Sequence, residues 1–367
     1  MIPWAQPNIG NKELNAVKKV FKSDKFTMGK NVELFEKKMS KYCDSKFALA
    51  VSNGTVALDI ALKSVGVKPG DEVIVPAVTY FSSASSVSYQ SATPVFVDID
   101  INNFCIDPYK IEKAVTKKTK AIIYIDYGGI PAEYQKIKKI AKKYKLMIIN
   151  DAAQSLGSSY NNKKLGSLGD ISTMSFHMAK ILTTVEGGMI FTNNKQLYSK
   201  AQTLRNIGEP INVKYNHHLI GTNARMTEIS AAIGLEQLKK LDYFIKKRNE
   251  IANLYINKIK EFNLPISLPK IKKNVKNSYF FFPILIKNRD NVARQLKEIY
   301  NIDTRIAYPM PIYRQRVYSH KIAYCKKSKC PTSEQFCSQI LNLPIYPSLK
   351  FKDVNFIIKS LKELIEK

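Results

Sequence analysis

The feature that most constrains the fold is an alternation of short apolar segments with helical patterns along the first half of the chain. Continuous apolar runs are typical of strands buried on both faces, and intervening patterns such as Pro131–Tyr144 have helical spacing. This order predicts an α/β fold, in which a mainly parallel seven-stranded sheet has helices on both faces. The predicted strands are Phe47–Val51, Val73–Val75, Val95–Val97, Ala121–Ile125, Leu146–Ile149, Thr173–Phe176 and Met189–Thr192.

Chain length predicts a second domain. At 367 residues the chain exceeds the roughly 100–200 residues of one typical domain. A long helix near Thr227–Phe262 is followed by a Pro-rich and Lys-rich stretch, and an amphipathic helix is predicted at Val354–Lys367. We therefore expect a large domain at 1–245, with an N-terminal arm at 1–12, and a smaller C-terminal α/β domain at 246–367.

Lys180 is the first candidate for chemistry, because it follows the predicted strand Thr173–Phe176. A lysine held at the end of a buried strand is partly desolvated, which lowers its pKa and frees the amine as a nucleophile. The chain has 58 Lys and Arg residues, most of which belong on the solvated surface. The position of Lys180 alone therefore leaves an ordinary surface role open.

Asp151 follows the predicted strand Leu146–Ile149. Open α/β sheets bind ligands at the carboxyl ends of their strands, so this carboxylate is placed to pair with a cationic ring nitrogen. The residues that follow, Ala152-Ala153-Gln154, also suit a helix start, which leaves a helix N-cap as the alternative.

Two further segments follow predicted strands. Ser52–Thr55 is a turn of small residues that opens a helix, and such a turn offers backbone N–H groups to a phosphate. An ordinary turn capped by Asn53 or Thr55 fits the same residues. Tyr80 follows Val73–Val75, where an aromatic ring either stacks on a planar ligand or packs in the core.

Together these segments resemble the DegT/StrS family of sugar aminotransferases, a branch of the fold type I enzymes that depend on pyridoxal 5'-phosphate. The resemblance covers nearly the whole chain, with many motifs in matching order. The motifs are Thr27-Met28-Gly29, Ser52-Asn53-Gly54-Thr55, Gly70–Pro76, Ala92–Asp98, Asp151-Ala152-Ala153-Gln154, Ser175-Phe176-His177 with Lys180, Glu186-Gly187-Gly188, Asn223-Ala224-Arg225-Met226 and Leu343–Pro347.

The resemblance implies a role for each matched position. Lys180 would bind the cofactor covalently and shuttle a proton, and Asp151 would pair with the ring nitrogen. Gln154 would face the phenolic oxygen of the cofactor. The other implied positions are Tyr80 for stacking on the ring, Gly54, Thr55 and Ser175 for the phosphate cradle, Asn223 for the phosphate of the neighbouring subunit, and Arg225, Tyr308 and Tyr313 for the substrate pocket. His177 either lines this pocket or packs in the core.

The same resemblance predicts a homodimer with shared active sites, and a reaction. Relatives with histidine in place of lysine are sugar dehydratases, so Lys180 favours transamination. We expect transfer of an amino group from glutamate, which leaves 2-oxoglutarate, to a keto-sugar linked to UDP, dTDP or GDP, in amino-sugar biosynthesis for a surface polysaccharide or glycan. Thr183-Thr184 before Glu186 matches a pattern common in one subfamily of these enzymes, and the match favours a 4-keto sugar. A 3-keto sugar, an inosose and a non-catalytic regulatory role are the alternatives.

Two departures from the family pattern stand out. Asn150 replaces an acidic residue that usually precedes the aspartate. Tyr313 occupies a usual histidine position in a loop that helps to form the sugar pocket, which puts the identity of the sugar in doubt more than the reaction.

Composition excludes several other classes of function. The net charge of +28 has no recognisable nucleic-acid module beside it, so we expect no nucleic-acid role and only a field that steers anionic nucleotide sugars. The five cysteines and four histidines lack zinc-site spacing, which predicts no metal site. With no secretory signal and no apolar stretch of about 18 residues, we expect a cytoplasmic protein away from membranes.

Overall fold

Helices follow most of the strands in the computed structural model, which describes residues 1–211 and 214–366. The predicted long helix is observed as Glu228–Glu261, with Thr227 as its N-cap. The helices are α1 (Asn11–Val20), α2 (Lys30–Tyr42), α3 (Gly54–Ser64), α4 (Ser82–Tyr89), α5 (Pro108–Ala114), α6 (Tyr134–Tyr144), α7 (Lys195–Arg205), α8 (Glu228–Glu261), α9 (Arg289–Glu298), α10 (Arg316–Ser319), α11 (Pro331–Gln339) and α12 (Phe351–Glu366).

The strands form one large sheet and two small ones. The large sheet has the order β1-β9-β8-β5-β4-β2-β3-β12, and β9 runs antiparallel to both of its neighbours while the other pairs are parallel. The strands are β1 (Phe47–Val51), β2 (Glu72–Pro76), β3 (Thr93–Val97), β4 (Thr119–Ile125), β5 (Met147–Asp151), β6 (Ser159–Tyr160), β7 (Lys163–Lys164), β8 (Ile171–Ser175), β9 (Gly188–Thr192), β10 (Val275–Lys276), β11 (Phe282–Leu285), β12 (Lys326–Lys327) and β13 (Ile340–Leu343).

The mainly parallel sheet with helices is confirmed, but its predicted strand number is wrong by one. All seven predicted strands are present, and the sheet has eight strands because Lys326–Lys327 pairs in parallel with Val95–Phe96. Two adjacent lysines carry no apolar signal, and the strand forms through its backbone at the edge of the sheet. Edge strands commonly carry lysine, since charge opposes pairing with another chain.

The sheet is buried on both faces, as its apolar strands predict. Ile122 and Ile148 belong to one hydrophobic cluster, while their neighbours Ile123 and Ile149 belong to another. Successive side chains of a strand point to opposite faces, so a sheet between two clusters carries apolar residues on both of its faces.

A third hydrophobic cluster joins the second half of α8 to α9, β11, β13 and α12. Helix α12 buries Val354, Ile357, Ile358 and Leu361, which share one helical face. The helix begins at Phe351, three residues before the predicted start, and Lys367 lies outside the described residues. The predicted domain boundary at 245 falls within α8 and stays a prediction.

Helix α8 is the longest helix, with 34 residues. Among residues 1–211 and 214–366, neither this helix nor any other combines the length and the apolar composition that a bilayer crossing requires.

Candidate active site

Lys180 lies in the loop between β8 and β9. Hydrogen bonds fold this loop back on itself, from Phe176 N to Gly187 O at 2.8 Å and from Lys180 N to His177 O at 2.8 Å. Burial of the amine lowers the pKa of Lys180 to about 8, although the charge of Asp151 opposes this shift. A larger fraction of this amine is therefore neutral near pH 7 than in an ordinary lysine, and the neutral amine is the nucleophile.

Asp151 ends β5 and is buried, with 4% of its surface exposed. One carboxylate oxygen accepts a hydrogen bond from Ser83 Oγ at 2.7 Å, and the other accepts from Ala153 N at 3.2 Å. Burial raises the pKa of Asp151, while the bond from Ser83 and the charge of Lys180 act against the rise. The helix-cap alternative is wrong, because the residues after Asp151 form turns.

Gln154 has both ends of its amide held. Its Oε1 accepts a hydrogen bond from Gly128 N at 2.8 Å, and its Nε2 donates to the hydroxyl of Tyr308 at 3.1 Å. Gly128 has φ 62°, in the left-handed region that favours glycine, so the turn after β4 can aim its N–H at Gln154. The two contacts fix which end of the amide is the donor.

The structure brings Tyr308 and Tyr80 together beside this cluster. Their ring centroids are 6.3 Å apart, and Tyr308 also accepts from Gln154. Tyr80 is 61% exposed, so the core-packing alternative for it is wrong. A ring with this exposure is available to a ligand that enters the site.

The predicted phosphate cradle lies where the start of α3 meets the end of β8. Asn53 caps the helix by accepting from Val56 N at 2.9 Å, which leaves the N–H groups of Gly54 and Thr55 at the helix start. A Cβ atom on Gly54 would lie 2.8 Å from Cβ of Ser175, so only glycine permits this approach. The capped turn and the phosphate cradle are thus compatible readings of the same residues.

The segment that carries Asn223 and Arg225 runs beside this cradle. Ser52 N donates to Ala224 O at 2.9 Å, and Arg225 Nη1 donates to the side chain of Asn206 at 2.9 Å. Asn223 is exposed. Its side chain is therefore available at the surface of the chain.

Two predicted substrate residues lie apart from the buried cluster. His177 is exposed at the rim, with its imidazole 3.8 Å from Glu186, so the core-packing alternative for it is wrong. Tyr313 is buried, and its hydroxyl donates to Glu334 at 2.8 Å while its ring packs against Phe96. Since its hydroxyl already has this partner, the substrate role of Tyr313 rests on the resemblance alone.

Sequence reasoning missed Ser83 and Phe280. Ser83 belongs to the serine-rich start of α4, where no pattern marks one serine as the partner of Asp151. Phe280 lies in the aromatic run Tyr279–Phe282, which resembles ordinary core, yet the amine of Lys180 lies 4.7 Å from its ring centroid. Neither contact could be found without the fold.

Comparison with known proteins gives consistent matches along the chain. The model of the DegT/DnrJ/EryC1/StrS aminotransferase family matches residues 7–362. The chain is 37% identical to the GDP-perosamine synthase of Escherichia coli O157:H7, over 99% of this chain and 98% of that protein. It is also 37% identical to the dTDP-3-amino-3,6-dideoxy-alpha-D-galactopyranose transaminase of Aneurinibacillus thermoaerophilus, over 94% of this chain and 93% of that protein. The PLP form of Spr1654 from Streptococcus pneumoniae has a TM-score of 0.93 and 27% identity, covering 100% of this chain and 98% of that one.

Proposed function

The chain belongs to the DegT/DnrJ/EryC1/StrS aminotransferase family, and on that premise we propose that it transfers an amino group from glutamate to the C4 keto group of a nucleotide-linked sugar. It is an aminotransferase that uses pyridoxal phosphate. The observation that carries the proposal is the cluster that Lys180 forms with the buried Asp151 and Gln154.

The residues of the site fit pyridoxal phosphate. The turn at Gly54 and Thr55 offers N–H groups at a helix start, which suits a phosphate, and the close approach of Gly54 to Ser175 leaves no room for a side chain there. Asp151 supplies a buried carboxylate for a cationic ring nitrogen, and Lys180 an amine of lowered pKa. When bound, the cofactor supplies an electron sink for the carbanion that forms as a proton leaves.

The protein moves the proton and fixes its surroundings. An amine with a pKa near 8 can take up a proton and return it close to neutral pH, so Lys180 is suited to general acid and base work. Asp151, ionised, holds a proton on the ring nitrogen by charge pairing. Gln154 keeps its donor end directed, because Gly128 holds its oxygen.

The names of the relatives support a substrate class. One relative is named as a GDP-perosamine synthase and another as a transaminase of a dTDP-linked sugar, which supports a nucleotide-linked sugar for this chain. Amination at C4 is supported by Thr183-Thr184 before Glu186. A 3-keto sugar is the second candidate, since a relative named for a 3-amino product has the same identity of 37%.

We also propose that the active site is shared in a homodimer. The exposure of Asn223 supports this, because an exposed asparagine can reach a neighbouring subunit. Arg225 would line the same shared site.

A substrate panel tests the proposal. The enzyme loaded with cofactor is incubated with glutamate and with 4-keto and 3-keto sugars linked to GDP, dTDP or UDP. We expect 2-oxoglutarate and an amino sugar from a 4-keto member, with the amine assigned to C4 by NMR, and no product from Lys180→Ala. An amine at C3 would contradict the proposed amination at C4. The absence of product from every sugar would contradict the proposed substrate class.

A further inference from the structure

The amine of Lys180 lies against the ring of Phe280. The distance from Nζ to the ring centroid is 4.7 Å, and Phe280 is 6% exposed. The face of an aromatic ring attracts a cation, which raises the pKa of an amine, while the apolar body of the ring excludes water, which lowers it. Phe280 thus acts on the charge of Lys180 in two ways that can be separated by substitution.

Phe280 is held by a buried arginine. Arg248 of α8 is 4% exposed, and its Nη1 donates to the carbonyl oxygens of Tyr279 at 2.9 Å, Phe280 at 3.4 Å and Ile345 at 3.0 Å. Burial lowers the pKa of Arg248 to about 10. Within residues 1–211 and 214–366, no carboxylate forms an ion pair with this guanidinium.

A buried charge without an ion partner is costly, and here three backbone carbonyls compensate it. Two of them belong to Tyr279 and Phe280, immediately before β11. The neighbouring Asn249 adds a bond from its Nδ2 to Asn277 O at 3.0 Å. Helix α8 therefore fixes the backbone from which the ring of Phe280 extends.

Other charged and titratable groups surround the amine. Asp151, from β5, is the group whose charge acts on Lys180. Tyr308 approaches from the segment between α9 and α10 with its hydroxyl bonded to Gln154, and burial raises its pKa well above the usual range. His177 lies on the same loop as Lys180 but is exposed beside Glu186, and Arg248 lies behind Phe280.

We infer that Phe280, anchored by Arg248, is a positioning residue of the reaction: when the amine of Lys180 is free of the cofactor, the ring face stabilises its protonated form relative to its neutral form. The inference rests on the proposed role of Lys180 as the cofactor-binding lysine. Arg248 and Phe280 would then both contribute to the reaction, although the sequence pattern around Phe280 indicates only a core residue.

The test measures the pKa of Lys180 in the full-length protein freed of cofactor. Trace acetic anhydride labels neutral amines, and mass spectrometry follows acetylation of Lys180 between pH 6 and pH 11. Phe280→Leu keeps apolar bulk but removes the ring face, so the pKa of Lys180 should fall by about half a unit to one unit. Phe282→Leu is the matched control, because Phe282 is also buried and its ring stacks on Tyr255 and Tyr279, whereas Phe281 packs directly on Phe280. This control should leave the pKa of Lys180 unchanged.

Arg248→Lys tests the anchor in the same assay, in the native background and in the F280L background. If Arg248 acts through the ring, its substitution shifts the pKa of Lys180 in the native background and not in the F280L background. An unchanged pKa of Lys180 in F280L, an equal shift in F282L, or an equal effect of R248K in both backgrounds would overturn the inference. Thermal unfolding verifies that each variant is folded.

The assay needs no sugar substrate, so failure of the proposed substrate class leaves its result intact. If borohydride fixed the cofactor to a lysine other than Lys180, the proposed catalytic assignment would fail independently of the measured pKa.

Discussion

Two opposite charges govern the site at the scale of single residues. Burial lowers the pKa of Lys180 and raises that of Asp151, and each charge partly offsets the shift of the other. Both side chains are therefore held away from their ordinary titration range, which is typical of catalytic groups. Two substitutions separate their roles.

Lys180→Ala should lower turnover by roughly 10²–10⁴-fold or more, because no other amine replaces the proton carrier. In the native enzyme, borohydride reduction should fix the cofactor to Lys180, as peptide mass spectrometry would reveal. A reduced adduct on a different lysine would exclude the assignment. Lys164→Ala is a control, since that lysine lies over the ring of Tyr42 away from the site.

Asp151→Asn should leave folding largely intact and reduce kcat by about two orders of magnitude, since an amide cannot keep the ring nitrogen protonated by charge pairing. Steady-state kinetics and the absorbance of the bound cofactor against pH measure the effect. Ser83→Ala, which removes the 2.7 Å bond to Asp151 and the 2.9 Å bond to Thr79 but keeps the carboxylate, should be milder. Near-native turnover of the Asp151 variant would refute the ring-partner role.

Residues at the ends of strands were the predictable part of the site. The strand patterns located Lys180, Asp151 and Tyr80 near the carboxyl ends of β8, β5 and β2, where ligands bind in such sheets. The contact of Lys180 with Phe280 joins two segments that are 100 positions apart in the sequence. No local pattern encodes such a contact, because it depends on how α8 places the segment before β11.

At the scale of elements, Asp126 joins β4 to β5. Its buried carboxylate accepts from Ala132 N at 3.1 Å, Asn150 Nδ2 at 2.9 Å and Ser155 Oγ at 3.2 Å. Helix α6 begins at Tyr134 and not at the predicted Pro131, and Ala132 lies in the segment before it. Asn150 replaces the usual acidic residue and donates to Asp126, where a second carboxylate would be repelled.

Asp126 makes stability depend on pH. Burial raises its pKa to about 7, so between about pH 4 and pH 7 the folded protein binds a proton that the unfolded chain has released. The free energy of unfolding should then fall as pH rises through this window, by up to roughly 1.4 kcal/mol per pH unit. Asp126→Asn, which cannot ionise, should lose this slope in urea unfolding at pH 5 and pH 8.

Ser155→Ala is the matched control for this slope. It removes one donor to Asp126 but leaves the carboxyl group, so the pH dependence should persist. Equal slopes in the native protein and in the Asp126 variant would show that another group causes the dependence.

At the scale of the whole molecule, the loop before α8 is a candidate interface. Tyr215 is 91% exposed and Ile220 is 93% exposed, which is unusual for large apolar side chains that remain in water. The same loop leads to the exposed Asn223. A two-fold dimer would cover these side chains and build two equivalent shared sites.

The alternative is that this segment serves its own subunit, since Ala224 bonds to Ser52 and Arg225 bonds to Asn206 within one chain.

Mixing two inactive variants distinguishes the two arrangements. One variant carries Lys180→Ala, and the other carries both Asn223→Ala and Arg225→Ala. If sites are shared, a mixed dimer carries both lesions in one site and none in the other. Activity should recover to roughly a quarter of native, because about half of the dimers are mixed and each has one intact site. If the segment serves its own subunit, every site retains a lesion, so the absence of recovery despite subunit exchange, verified by native mass spectrometry, would eliminate the shared site.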